Sequence, residues 1–375
     1  MAPGAEVALR TVAAGAGVLL ILAALQSALR TLVLPRSAPS TVVRVVFVSL
    51  RRLFEWRAPA SRPYAERDRL LAYFAPVGLL CLPVVWVSMV AVGFTPLLWL
   101  AGVEPLREAA VTSGSSILTL GFARPDATPA VLLCFVEAGA GLGLVTLLLS
   151  YLPSIYAAFA RRETQVALLE TRAGSPPSAS ELLRRHQAIG GLEGLSELWP
   201  VWQTWFADVE ESHSTISALV FFRSPQPDRS WITAAGAVLD CAALRLSALD
   251  LPRDPRAALC IRSGFLSLRH IADFYSMPYD PNPQRGDAIS ITRAEFDTVF
   301  DELGAARLPM RADRESAWLD FAGWRVNYDH VLVALAGLTV APWAPWSSDR
   351  AAPYSRPPLT RLGRRRLAAQ IGPTP

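Results

Sequence analysis

Residues 104–126 read EPLREAAVTSGSSILTLGFARPD, a hydroxyl-rich stretch that ends in Thr119-Leu120-Gly121-Phe122-Ala123 and lies between two long apolar runs. It is too polar to span a bilayer and too apolar for a simple exposed loop. Pro105 opens a helix-compatible run, Leu106 to Ser116, of about the length needed to dip halfway into a membrane. The residues after it then leave the helix at membrane depth. Non-helical backbone is tolerated there only where it is buried in protein or lines a watery cavity, because an unpaired peptide group in lipid costs several kcal/mol. A pore meets that condition. A second chemical group stands nearby: Glu137 is the single charged-type side chain between Thr128 and Ala160, and an ionisable group inside a span is a functional candidate whose partner must be named.

The elements that would position these residues are membrane helices. The 375 residues are 52% hydrophobic and 18% charged, a balance unusual for a soluble chain of this size. Three runs reach the roughly 20 apolar residues that a bilayer core about 30 Å thick requires: Thr11 to Leu29, Leu70 to Val103 with Pro76, Pro83 and Pro96, and about Thr128 to Ala160, which ends in Arg161 and Arg162. The first is too long for a secretory signal, and most nearby basic residues follow it. Every basic residue is arginine, and nine of them (Arg30, Arg36, Arg44, Arg51, Arg52, Arg57, Arg62, Arg67, Arg69) fall between residues 30 and 69 against Glu55, Glu66 and Asp68. Such segments stay cytoplasmic, so a multi-pass protein of the cell membrane is expected, with the N-terminus outside and the C-terminal part inside. Within the basic segment, Thr41 to Trp56 mixes apolar residues with Arg44, Arg51 and Arg52. It reads either as an interfacial helix whose arginines meet anionic headgroups or as an ordinary helix packed on the C-terminal domain.

Thr119-Leu120-Gly121-Phe122-Ala123, set between two spans, resembles the selectivity filter of the potassium channel family, and residues 70 to about 160 resemble its two-helix pore module. That resemblance implies an extended strand whose carbonyl oxygens replace the hydration shell of a permeant potassium ion. Carried over, Thr119 supplies the hydroxyl and carbonyl of the innermost site, Leu120 the buried aliphatic backing, Gly121 the permissive backbone and Phe122 an aromatic cuff. Val136-Glu137-Ala138-Gly139-Ala140-Gly141 resembles the inner helix of bacterial members, with Gly141 or Gly143 as the gating bend; simple helix packing would also account for these glycines. The chain departs from the family at two positions: Ala123 replaces the second filter glycine, and Arg124 stands where an acidic residue is usual, with Asp126 near enough to offset it. Glu137 is expected to support the filter through Ser113, Ser115 or Ser116, or else to be a hydrogen-bonded packing group.

Beyond the spans, Ala173 to Ser180 is rich in Gly, Pro and Ser and reads as the end of a linker, residues 161–180, with Ser178 or Ser180 capping the next helix. Apolar periodicity then favours helices over Leu182–Leu198, Val201–Phe222, Trp231–Leu249, Asp254–Tyr275, Thr292–Leu303 and Arg314–Leu335. The expected fold is therefore all-α: an N-terminal helix (1–35), a basic segment (36–69), a pore domain (70–160), the linker, a helical cytoplasmic domain (181–340) and a disordered basic tail (341–375) containing Arg361, Arg364, Arg365 and Arg366.

Several chemistries find no footing. Cys81, Cys134, Cys241 and Cys260 stand alone, and His186, His213, His270 and His330 are isolated, so neither a zinc site nor a disulfide framework is supported. Gly-x-Gly runs lie inside spans, which excludes a nucleotide fingerprint. Asp280, Asn282 and Gln284 begin like a calcium loop, but Arg285 and Ile291 occupy its glycine and glutamate positions. A formal net charge of +4 carries no nucleic-acid footprint. The sequence thus points to a non-enzymatic homotetrameric cation channel without a cofactor, with membrane lipid and potassium ions as its partners. The alternatives are a non-conducting sensor or scaffold on the same architecture, and a membrane-anchored enzyme with its site in the C-terminal helices.

Overall fold

Three helices of the protein are long and apolar enough to cross a bilayer. They are seen in a computed structural model that describes residues 3–34, 40–59 and 61–351. Helix α1 is Pro3–Leu32, α4 is Phe74–Leu100 and α6 is Thr128–Ala173. Between them lie α2 (Thr41–Arg57), α3 (Tyr64–Ala72), joined to α4 through Tyr73 alone, and α5 (Leu106–Ile117). Seven more helices follow: α7 (Ala179–Ile189), α8 (Leu195–Thr215), α9 (Trp231–Ser247), α10 (Pro255–Phe274), α11 (Arg293–Ala305), α12 (Arg314–Arg325) and α13 (Asp329–Thr339). No strand forms among the described residues; Leu249 and Met310 make an isolated bridge. The expected tail arginines, like Arg36, lie outside the described residues.

The chain divides into two compact units, one of the residues up to Arg57 with Tyr73–Tyr156, the other of Ala58–Ala72 with the described residues from Ala157 on. In the first unit α1 and α4 cross where glycine permits it: a Cβ on Gly17 would lie 2.3 Å from the Gly93 carbonyl oxygen, and one on Gly93 would lie 2.6 Å from Ile21. Small residues let apolar helices approach where lipid offers no hydrophobic drive between them. A polar tie holds the same pair, since Trp86 Nε1 donates to Ser27 Oγ at 3.0 Å and Ser27 Oγ lies 2.6 Å from Ser40 Oγ. Pro83 and Pro96 sit inside α4 without interrupting it.

The second unit is built around α9, whose residues are buried along nearly its whole length, as a helix apolar on every side must be. Gly264 lets α10 close on it, because a Cβ there would meet Leu239 at 2.5 Å and Phe206 at 3.0 Å. Trp199, Trp202 and Trp205 are buried in this core, while Trp343 is exposed. Two arginines organise its interior. Arg325, fully buried, donates to Asp240 at 2.5 Å, Asp329 at 2.6 Å and the Trp346 carbonyl at 2.6 Å. Arg223 donates to the Tyr64 hydroxyl at 3.0 Å, to Asp68, and to the carbonyls of Thr339 and Val340 at 2.8 and 3.0 Å, so α3 is fixed to the helical unit.

Three expected boundaries move. Residues 161–173 are helix, not linker, because α6 runs unbroken to Ala173 and buries Val166, Leu169 and Ala173 in the second unit's core; only the short turn before Ser178 remains, and Ser178 Oγ accepts from Glu181 N at 3.3 Å. The helix expected to end at Leu198 ends at Ile189, where Gly191 takes φ +92°, and Pro200 lies inside α8. Arg314–Leu335 is two helices, broken at Asn327 and Tyr328 so that Arg325 and Asp329 both reach the buried ion cluster.

Candidate functional site

Helix α5 forms without a side-chain cap on its first turn: Pro105 precedes it in an extended conformation, and Glu108 places a negative charge near the positive end of its dipole. The N-terminal part of α1 meets this entry, where Arg10 pairs with Glu6 at 2.5 Å and with Glu104 while its guanidinium lies 4.7 Å from the centre of the Trp99 ring. One stripe of α5 is buried: Ala109, Thr112, Ser113, Ser115, Ser116 and Ile117. Ala109 packs with Leu98 of α4 and Ala130 of α6, so the start of α5 is wedged between two spans.

The serines divide the work. Ser113 Oγ lies 2.9 Å from the Ala91 carbonyl and 2.5 Å from Glu137 Oε1, so one hydroxyl links α4, α5 and α6. Glu137 is fully buried, and its Oε2 has no partner among the described residues. Ser116 Oγ donates to the Cys134 carbonyl at 2.6 Å. Ser115 turns instead to the segment that follows: its carbonyl accepts from Leu120 N at 2.8 Å and Gly121 N at 3.3 Å, and its hydroxyl accepts from Ala123 N at 3.1 Å. Thr119 N donates to the Ser116 carbonyl at 2.9 Å.

Four amide hydrogens of residues 119–123 therefore aim back at the last turn of α5. The dihedrals explain how. Thr119 has φ +56° and Gly121 φ +72°, while Leu120, Phe122 and Ala123 keep negative φ. With φ alternating in sign, the N–H groups of residues 119–121 turn to one side, toward the last turn of α5. Among the described residues no donor reaches the carbonyls of residues 119–122. A β-branched residue at positive φ costs on the order of 1–3 kcal/mol and persists only where the surroundings impose it; at Thr119 they are the two α5 carbonyls. The α5 C-terminus also directs the negative end of its dipole at this segment. Backbone oxygens without donors beside that end are groups of the kind that can ligate a cation.

Several expected roles are modified. The Thr119 hydroxyl donates to the Leu118 carbonyl at 2.7 Å rather than standing free. Leu120 is not a buried backing in the single chain: it is 61% exposed and Phe122 is 68% exposed, because the side of the segment nearest α5 is filled by the amide contacts. Ala123 keeps negative φ, so the alternation stops at Gly121. Arg124 and Asp126 are both exposed, and among the described residues no ion pair joins them. Gly141 sits hard against α5, where a Cβ would lie 2.4 Å from the Ile117 carbonyl, whereas Gly143 faces open space. Of the three serines offered as Glu137 partners, Ser113 is the one in contact; the bonds of Ser115 to residues 120–123 carried no sequence signal beyond its spacing.

A second arrangement was missed entirely. Arg162, expected as a membrane-flanking charge, is fully buried: it donates to Glu163 at 2.9 Å, to His213 Nε2 at 3.0 Å, and to the carbonyls of Leu219 and Phe222 at 2.8 and 2.7 Å. Because arginine has no acceptor, His213 Nε2 must accept, which fixes the neutral ring with hydrogen on Nδ1, 3.1 Å from Ser212 Oγ. Burial and the Arg162 charge push the His213 pKa well below the usual histidine value. Among the described residues no group of His, Cys, Asp or Glu is arranged to hold a metal. Comparison with family models, with curated proteins and with solved structures finds no match to this chain.

Proposed function

We propose that this chain is one subunit of a homotetrameric, potassium-channel-like cation channel in which residues 104–126 re-enter the membrane and Thr119–Ala123 form the filter. The observation that carries the reading is the one-sided backbone of residues 119–121, with amides on Ser115 and Ser116 and carbonyls left without donors. One such segment per chain cannot enclose an axis, and closed rotational symmetry is the rule for oligomers; four copies would place four rows of oxygens around one path. The exposed Leu120 and Phe122 would then be covered by neighbouring copies. The arginine-rich residues 30–69 support a cytoplasmic helical unit and an outside N-terminus.

A second reading, a non-conducting sensor built on the same architecture, is favoured by two observations: the alternation ends before Ala123, and the exposed Arg124 just beyond has no ion-pair partner among the described residues. Potassium and sodium flux through the purified protein in liposomes separates the two. Flux that disappears in Gly121→Asp is expected. An ordered tetramer that passes neither ion at any pH or calcium level would reject conduction and leave the sensor.

A further inference from the structure

Helix α2 has two faces with different surroundings. Phe47 and Phe54 both stack edge-on against Phe74 in the first turn of α4, with ring centres 5.8 Å apart in each case. Gly78, one turn further, makes room: a Cβ there would lie 2.7 Å from the Phe47 ring. The opposite stripe, Val45, Ser49, Arg52, Leu53 and Trp56, repeats at helical spacing and is exposed, Trp56 at 72%. Arg57 lies over the Trp56 ring, 5.1 Å from its centre.

The depth of this helix is fixed by its neighbours. Ser40, the residue before α2, contacts Ser27, five residues inside the end of α1. At 1.5 Å per residue that is about 7.5 Å back from the end of the span. The aromatic contacts with Phe74 and Gly78 likewise hold α2 at the first turns of α4. Thus α2 packs against the C-terminal end of α1 and the first turns of α4, ends that a bilayer spanned by these two helices would hold near the boundary between acyl chains and headgroups. A tryptophan beside arginines suits that boundary, because the indole occupies the interface and arginine extends its charged end toward phosphate. Zwitterionic lipid satisfies the indole alone; the arginines need net negative charge.

We propose that the outward face of α2 binds the headgroups of anionic phospholipids, with Arg52 and Arg57 contacting phosphate and Leu53 and Trp56 set into the acyl boundary. This rests on the membrane spans and is independent of whether the protein conducts. Tail-labelled phosphatidylglycerol and phosphatidylcholine are titrated into the full-length, detergent-solubilised protein at low salt. Each arginine is expected to favour the anionic lipid about 5-fold, so the preference is about 25-fold in the native chain and near unity in Arg52→Gln/Arg57→Gln at an unchanged melting temperature. Arg52→Lys/Arg57→Lys, which keeps the charge, is expected to retain it. Equal affinity for both lipids, a preference that survives the Gln substitutions, or one lost in the Lys variant overturns the proposal. So does displacement of the lipid by inorganic phosphate at equal concentration, or a Gln variant that changes the oligomeric state instead of lipid preference, which assigns the stripe to a second copy.

Discussion

At the scale of single residues, Ser115 is the one on which the backbone of the following segment depends. Ser115→Ala removes the acceptor for Ala123 N and leaves a peptide hydrogen without a partner, a loss of about 1–3 kcal/mol; the expected outcome is a less thermostable protein, read as a lower thermal midpoint, and on the proposed channel reading a weaker ion preference, read by flux at equal protein loading. Thr119 offers a sharper comparison. Thr119→Gly relieves the strain of a β-branched residue at positive φ, so it should leave folding intact or improve it while loosening any ion discrimination. These two residues also mark how far the sequence was legible. Thr119 to Ala123 stood out because a glycine beside hydroxyls between two apolar runs has few uses, and Glu137 because charge is rare in a span. The division of labour among Ser113, Ser115 and Ser116 was not legible, since adjacent serines differ only in the direction their side chains take around a helix. The burial of Arg162 was not legible for a related reason: an arginine after an apolar run marks a membrane boundary as well as it marks a buried anchor.

At the scale of elements, the helices were legible and their ends were not. Apolar length alone identified α1, α4 and α6, since a bilayer sets a minimum that few soluble helices meet. The continuation of α6 to Ala173 was hidden because Arg161 and Arg162 end the apolar run without ending the helix. Packing between elements depends on close approach, which composition does not reveal: Gly17 and Gly93 bring α1 and α4 together. Gly17→Val forces that crossing open and is expected to destabilise the protein by about 1–3 kcal/mol, measured as a lower thermal midpoint in detergent. For α3 the decisive contact is Arg223 with Asp68, a pair about nine-tenths buried. Asp68→Ala leaves the guanidinium with a hydroxyl and two carbonyls and no counter-charge, a cost on the order of 3 kcal/mol. Hydrogen exchange should rise in Tyr64–Ala72 before it rises in α9.

At the scale of the whole molecule, the buried Arg162–His213 pair makes stability depend on pH. The histidine is held neutral when folded and titrates near its ordinary value of about 6.5 when unfolded, so the unfolded chain binds the extra proton as pH falls through that value. Stability is therefore full above about pH 7 and declines below about 6.5 toward the depressed folded value. Thermal midpoints at pH 7.5 and 5.5 should differ less in His213→Gln than in the native chain. A wild-type protein equally stable at both would contradict this sign. The forty-six residues of α6, Pro153 among them, make a helix about 69 Å long, more than twice the hydrocarbon thickness. A bilayer core about 30 Å thick takes up only about 20 of those residues, so the rest of the helix needs water or protein around it, and Val166, Leu169 and Ala173 find it in the core of the second unit.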